Sequence, residues 1–573
     1  PLPGVFDPFE ALAPGAIPVH PDRPNLLSEQ RLIRGDAEGA IAKSKYVVKN
    51  IYRTPWTEHA FLEPETAVAL PWEGGVEIYS GDQGCMQTRK ENASMLGLPK
   101  EKVRVVTCMV GGGFGGKEDQ VVQHHAALLA YLLQRPVKVS LTRAESMQIH
   151  PKRHPMTVEM TTGCDENGLI QGMIANIVAD TGAYASLGGP VLQRACTHAS
   201  GPYQFGNISV IGRAAYTNNP PAGPFRGFGV TQSCFAAECN LNQLAEMIGI
   251  SPWEIRRRNA ILPGGTLPNG QIVDENCAFL ETLEAVKPYY DANPRMGIAC
   301  ALKNTGLGVG IPDYGRCLLR VREGKVEVHC SASCIGQGFG TVAVHMVCTS
   351  AGLAPGDVLY CPPDTALAPD SGNTTASRQT LFSGEAASRA ARQLKEALTE
   401  TGQGGLSALE GREFYAEYLG RTDPMGSDKP NPVSHVDYGY ATQLVELDAE
   451  GRLLRVIAAH DVGRAINRPS LEGQVEGGVV MSLGYALTER FPLVEGKPQV
   501  RFGGLGLLTA PQVPDIQTIL IEKSRSGIAY GAKGIGEITS IPTPASVQNA
   551  YYNFDGVFRT QLPLAGTPYE KKR

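Results

Sequence analysis

Apolar and polar positions alternate over residues 46–69 and again over 75–79, the period-two pattern of strands with one face on a core. The period then lengthens. Residues 120–134 (QVVQHHAALLAYLLQ) are apolar nearly all round and predict a buried helix, stopped by Arg135-Pro136, with a strand following over 137–142. His124 and His125 lie inside that helix and read as packed or surface residues rather than metal ligands. A second helix is predicted to about Ile248 with Thr231 as its N-cap, and Ser251-Pro252 starts a short basic helix. Residues 383–401 carry helical spacing and good helix formers. Residues 441–459 read as two alternating strands joined at Asp448-Ala449-Glu450-Gly451, a hairpin. Strands and helices mixed in both halves predict an α+β fold of mixed α/β layers.

The first 30 residues are rich in proline and lack a period, so 1–30 is expected to be an extended segment, the remnant or completion of a preceding domain. The strongest turn cluster, Pro263-Gly264-Gly265-Thr266-Leu267-Pro268-Asn269-Gly270, precedes a new run of strands past Pro294. Two large units are therefore expected, 31–263 and 296–573, joined by a linker with a short helix over 264–295.

At 573 residues the chain exceeds a single ordinary core, and 66 glycines with 41 prolines imply many tight turns in an otherwise normally apolar (42%) protein. The net charge of −5 is dispersed, with no basic block longer than Arg256-Arg257-Arg258 and Lys571-Lys572-Arg573, which argues against nucleic acid as a partner. No apolar run has the length of a membrane span. The 13 cysteines include no C-x-x-C pair, and Cys300, Cys348 and Cys361 sit in apolar settings typical of small buried hydrophobes. A reducing, cytoplasmic location is expected, and an iron–sulfur cluster held by this chain is not.

The candidate chemistry lies in glycine-punctuated clusters. Gly111-Gly112-Gly113-Phe114-Gly115-Gly116-Lys117-Glu118-Asp119 offers bare backbone and then charge. It has neither the Lys-Ser/Thr pair of a P-loop nor a dinucleotide fingerprint. Four more follow: Gly223-Pro224-Phe225-Arg226-Gly227-Phe228-Gly229, Ile335-Gly336-Gln337-Gly338, Gly473-Gln474-Val475-Glu476-Gly477-Gly478 and Gly531-Ala532-Lys533-Gly534-Ile535-Gly536-Glu537. Glycine costs entropy and packs no side chain, so five such clusters make sense if they converge on one large ligand. Gln83, Gln337 and Gln474 can both donate and accept to a polar heterocycle, and Glu118 and Glu537 are placed for acid–base work if burial raises their pKa.

The ordered set GGGFGGKE, FRGFG, GQG, GQVEGG and KGIGE resembles the molybdenum-binding subunit of the xanthine dehydrogenase and molybdenum hydroxylase family, over roughly Tyr46 to Asp555. The resemblance implies two large molybdopterin-binding domains with the cofactor buried between them. It also implies molybdenum held by a pterin dithiolene, possibly in the cytosine dinucleotide form, with no protein ligand to the metal. Glu537 matches the family's general base, and Gln83 the glutamine near the metal's oxygen or sulfur ligands. Gly113, Phe114, Arg226, Gly336, Gln337, Ala376, Ser377, Gln379 and Gln474 match pterin and phosphate contacts. Phe228 matches the aromatic that packs on a planar substrate. Glu118 and Arg194 fall where relatives that hydroxylate purines carry a carboxylate and a guanidinium, and relatives acting on aldehydes often lack the pair.

The reaction so implied is hydroxylation of a purine or similar N-heterocycle, with water as oxygen source. The alternatives are the same chemistry on an aldehyde or nicotinate-like ring, or a cofactor-binding subunit inactive without its partner. Electrons are expected to leave through [2Fe–2S] clusters and FAD on partner chains or further domains, in a higher-order oligomer. One departure stands out: the family's second sandwiching phenylalanine belongs near Gly306-Leu307-Gly308, where no aromatic occurs, so one face of the substrate slot is expected to be aliphatic.

Overall fold

The computed structural model describes residues 3–570. Two larger sheets and two smaller ones carry the chain. The first half contributes a five-stranded sheet in the order Leu26–Arg34, Ile208–Tyr216, Ile170–Gly182, Met156–Cys164, Tyr46–Thr54. All its pairings are antiparallel except that between Ile208–Tyr216 and Ile170–Gly182. Its smaller companion orders Val103–Thr107, Gly75–Ser80, Thr66–Trp72 and Val137–Ser140. The second half repeats the plan. One sheet orders Gly297–Thr305, Asp437–Leu447, Leu453–Asp461 and Asp515–Ile521, and the other Val358–Tyr360, Lys325–His329, Asp313–Arg322 and Glu413–Gly420. Mixed helices and sheets thus form the expected layers.

The expected hairpin is present: Asp437–Leu447 and Leu453–Asp461 pair antiparallel, with Ala441 opposite His460. The helix expected to be buried over 120–134 spans Gln123–Leu133 and is buried on one face only: Ala126, Ala127 and Ala130 pack on the second sheet, while Leu128, Leu129, Leu132 and Leu133 are exposed. Three further local expectations need correction. The helix Val230–Ile248 starts from Gly229 (φ +88°), not from a Thr231 cap, because the left-handed Gly227 and Gly229 turn the chain directly into the first turn and bury Thr231 within it. The helix expected from Ser383 begins at Gln379, immediately after the turn at Ala376 and Ser377. Cys348 and Cys361 are half-exposed rather than buried, whereas Cys300 is buried.

The largest hydrophobic cluster runs unbroken from the five-stranded sheet (Val158, Ile177, Val210), through the helix Val230–Ile248 (Phe235, Leu241), into the sheet of the second half (Ile298, Leu444, Val456). Burying one contiguous apolar core across both halves fixes their mutual position. The segment 264–295 contains the helix Phe279–Ala292, whose buried Phe279, Leu283 and Val286 join that core. The N-terminal segment carries the start of the edge strand Leu26–Arg34 and a short helix, Pro8–Leu12, capped by Asp7. No helix among the described residues is long and apolar enough to cross a membrane.

Candidate functional site

Where the two halves meet, the glycine clusters surround a cavity of about 660 Å³. The loop after Val103–Thr107 forms one wall with Phe114 and Gly115. The turn before Val230–Ile248 adds Arg226 and Phe228, the turn before Phe339–Ala351 adds Gly336 and Gln337, and the turn before Gln379–Thr401 adds Ala376, Ser377 and Gln379. The helix Arg468–Leu487 presents Ser470, Gly473, Gln474, Gly477 and Met481, an i, i+3, i+4, i+7, i+11 pattern that lies on one face. A second cavity of about 450 Å³, lined by Leu187, Pro190, Arg194, Lys303, Leu307 and Ile311, shares Glu118, Phe228, Thr375, Ala376, Arg378 and Glu537 with the first. The shared residues mark the junction of the two spaces.

Backbone strain gathers on this wall. Phe114 (φ +55°), Phe228 (+49°), Ala376 (+48°) and Ser377 (+52°) all adopt the left-handed region that side-chain-bearing residues avoid, and all four line the larger cavity. Strain of this kind costs about 1–3 kcal/mol per residue and persists only where surrounding contacts enforce it. The contacts are visible. The Phe114 carbonyl accepts from Arg226 N–H at 2.8 Å, and Ala376 O accepts from Gly306 N–H at 2.9 Å. Gly534 passes so close to the Ser377 carbonyl that a Cβ there would stand 2.0 Å from the oxygen.

Glutamine and arginine side chains stitch the clusters together. Gln83 donates from Nε2 to Thr374 O at 2.8 Å, while its Oε1 accepts from Gly115 N–H at 3.0 Å, so its amide bridges the first and second halves. Gly113 lines neither cavity; a Cβ there would meet Gln83 Oε1 at 2.5 Å, so it makes room for that bridge. Arg226 donates from Nε to Gly536 O (2.5 Å) and from Nη2 to Gln474 O (2.9 Å) and Thr539 Oγ1 (3.0 Å), leaving Nη1 beside Gly477. Gln337 is held locally by Ser333 O and Ile335 N–H. Gln379 donates to Asn373 O at 2.9 Å.

Glu537 stands at the junction, 8% exposed. Its Oε2 accepts from Ser377 Oγ at 3.0 Å, its own N–H donates back to Ser377 Oγ at 3.1 Å, and Lys303 Nζ lies 3.5 Å from Oε1. Lys533, in the same loop, anchors it from below. Its buried ammonium donates to Asn276 O, Tyr438 O and Asp461 Oδ2 at 2.8–3.0 Å. Glu118 lies at the cavity wall, where burial, with smaller contributions from Asp119 and Glu537, pushes its carboxyl up to about 8. A hydrogen bond with Thr375 opposes the rise, and the net effect favours the protonated carboxyl, a hydrogen-bond donor. Arg194 lines only the second cavity. It donates to Gln193 Oε1 at 2.8 Å and to the carbonyl of Leu307, and burial brings it down to about 10.

Motif reading missed Lys303. It carries no glycine-rich signature, but a lysine directly after the apolar run GIACAL was a signal. Leu307 stands where the family's second aromatic belongs, so the wall it contributes is the aliphatic one expected there.

The larger cavity is bare where a Cβ would intrude: at Gly336 and Gly473 an added Cβ would have no atom within 4 Å, so those positions open onto the space. No cysteine or histidine lines it among the described residues. The two groups able to supply three metal ligands, Glu58–His59–His150 and Glu327–His329–Cys361, lie outside both cavities. These walls suit a large polar ligand that brings its own metal. The molybdopterin cofactor-binding domain models match residues 19–260, 280–408 and 405–514. The chain belongs to the molybdenum hydroxylase family.

Within this xanthine dehydrogenase-like family, a Bacillus subtilis (strain 168) protein named as a probable subunit of xanthine dehydrogenase is 33% identical over 97% of the chain and 80% of its own length. The nicotinate dehydrogenase large molybdopterin subunit of Eubacterium barkeri is 39% identical over 50% of the chain and 67% of its own length. The solved aldehyde oxidoreductase from Desulfovibrio gigas superposes with a TM-score of 0.91 at 26% identity, over 98% of this chain and 65% of that one. The chain thus spans less than two thirds of that relative.

Proposed function

We propose that this molybdenum hydroxylase subunit oxidises a purine or related electron-poor N-heterocycle, with water as the source of the inserted oxygen. The observation that carries the reading is the junction. Glu537, tied by Ser377 and Lys303, lines both cavities together with Glu118 and Phe228. Gly336, Gln337, Ala376, Ser377, Gln379, Gln474 and Arg226 Nη1 would hold the pterin and its phosphate, in mono- or cytosine dinucleotide form, and Gln83 and Phe114 would face its metal end. When bound, the molybdenum supplies a Lewis-acidic centre that accepts two electrons.

The chain's own residues do the rest. Glu537 is the general base that takes the proton of the attacking oxygen. Glu118, protonated at pH 7, donates to a ring nitrogen or exocyclic oxygen, and the Arg194 guanidinium stabilises negative charge developing on the ring. Phe228 covers one face of the ring and Leu307 contributes an aliphatic wall.

A carboxylated ring is the second reading, favoured by the cations Arg194 and Lys303 in the second cavity and by the nicotinate dehydrogenase relative. Relatives named as subunits of larger enzymes support partner chains for this one; on this reading those partners hold the [2Fe–2S] clusters and FAD that carry the electrons away, in a cytoplasmic higher-order oligomer. Glu537→Gln in the metal-loaded complex tests the assignment across xanthine, nicotinate and benzaldehyde. Turnover is expected to vanish with molybdenum content intact, and retained turnover removes Glu537 as the base.

A further inference from the structure

The strand Gly297–Thr305 is buried at all nine positions, yet it carries a lysine near its C-terminal end. Lys303 is 2% exposed, and an ammonium is taken out of water only where fixed partners replace its hydration. Two are present: Asn304 Oδ1 accepts from Nζ at 2.7 Å, and Glu537 Oε1 lies 3.5 Å away. Asn304 is itself fixed, donating from Nδ2 to Gly306 O at 2.7 Å.

The two oxygens of Glu537 are thus held by two different elements of the second half. Oε2 answers to the strained Ser377 turn and Oε1 to the end of a buried strand. A carboxylate held by one hydroxyl alone could rotate about its terminal torsion, which is broad and roughly two-fold. A second, charged partner removes that freedom.

We propose that Lys303 is a positioning residue for the reaction: its ammonium, braced by Asn304, fixes the orientation in which Glu537 presents its carboxylate at the junction of the two cavities. The inference rests on the reading of Glu537 as the base. Four charged or titratable groups surround Lys303, from three elements: Glu537 on its loop, Arg194 and the C-cap His198 of the helix Gly188–Thr197, and His435 before the strand Asp437–Leu447. Both histidines are held neutral by burial and by these cations. Burial brings Lys303 itself down to about 8, with Glu537 opposing the fall and Arg194 adding to it. Glu537 is thus the negative partner in a neighbourhood otherwise cationic or neutral.

The test compares Lys303→Met and Lys303→Arg in the metal-loaded complex, with steady-state kinetics on a substrate it turns over and crystal structures of each variant. The expected result for Lys303→Met is a kcat lowered about 10²-fold with KM within about threefold, since a small misplacement of a reacting group costs that much. Molybdenum content should be unchanged, and the Glu537 carboxylate should be rotated away from its wild-type position. Lys303→Arg should restore both the orientation and most of kcat. If Lys303→Met does not accumulate as folded protein, Lys303→Gln takes its place, because it can still donate to Asn304 but carries no charge.

A Glu537 carboxylate that stays in place in the neutral variant overturns the proposal, as does an arginine variant no better than methionine. The crystallographic arm is independent of turnover. A rotated carboxylate together with an active Glu537→Gln enzyme would leave the Lys303 hold standing and overturn only the assignment of the base.

Discussion

The Ser377 hydroxyl and Glu537 hold each other at two points: Oγ donates to Glu537 Oε2 at 3.0 Å and accepts from Glu537 N–H at 3.1 Å. A side chain in the second half's helix-start turn therefore fixes both the backbone and the carboxylate of the proposed base. Ser377→Ala removes a hydrogen bond to a charged group, worth about 2 kcal/mol. Spent on orientation in the transition state, that is a roughly 30-fold fall in kcat with KM little changed, measured by steady-state kinetics. An equal rise in KM with kcat preserved would show that Ser377 serves binding instead.

Glu118 makes stability depend on pH in a defined direction. Its folded pKa, about 8, lies above the ordinary 4.5, so the folded state binds its proton more tightly than the unfolded chain. The contribution is fully present below pH about 4.5 and is lost as pH rises to about 8. Glu118→Gln should therefore raise Tm more at pH 8 than at pH 5, read by thermal melts at both. A gain equal at both pH values would mean that the carboxyl titrates normally. On purines the same variant should lose less activity than Glu118→Ala, because the glutamine amide still donates.

Lys533 and Asp461 form a buried pair, 2.8 Å apart, beneath the loop that carries Glu537, with Asp437 Oδ1 3.6 Å from the same ammonium. Lys533→Met strands a carboxylate and should cost about 3–5 kcal/mol in urea unfolding. Adding Asp461→Leu should recover much of that, since an apolar pair avoids the cost of an unpaired buried charge. If the double variant is less stable than Lys533→Met alone, the bond that Asp461 accepts from Gly463 N–H at 3.2 Å outweighs the relief of the unpaired charge.

Gly473 faces open cavity on the helix Arg468–Leu487. Gly473→Leu suits the helix better than glycine and meets no protein atom at Cβ. The variant should fold normally while its molybdenum and pterin content drops at least tenfold. Full loading would place the pterin away from this helix face.

The glycine clusters were legible in the sequence because bare backbone is costly and rarely repeated without a steric cause, and the structure brings all five to one cavity. Their individual roles were less legible. Gly113 reads as a cofactor contact but serves Gln83, because what glycine admits can be a neighbouring side chain as well as a ligand. The Arg226 motif suggests a phosphate contact, yet Nε and Nη2 are taken by carbonyls more than 200 residues away, partners that no local pattern can reveal. Lys303 was visible only as a charge out of place in an apolar strand. Its meaning depends on the tertiary meeting of that strand with Glu537.

The left-handed backbone at Phe114, Phe228, Ala376 and Ser377 also bears on the order of assembly. These conformations are held by hydrogen bonds within each half, Arg226 N–H to Phe114 O in the first and Gly306 N–H to Ala376 O in the second, and the shared apolar core then brings the two pre-shaped walls together. A recess whose walls are shaped by the protein's own hydrogen bonds should change little in proteolytic susceptibility when the cofactor is loaded, far less than a chain that folds around its cofactor.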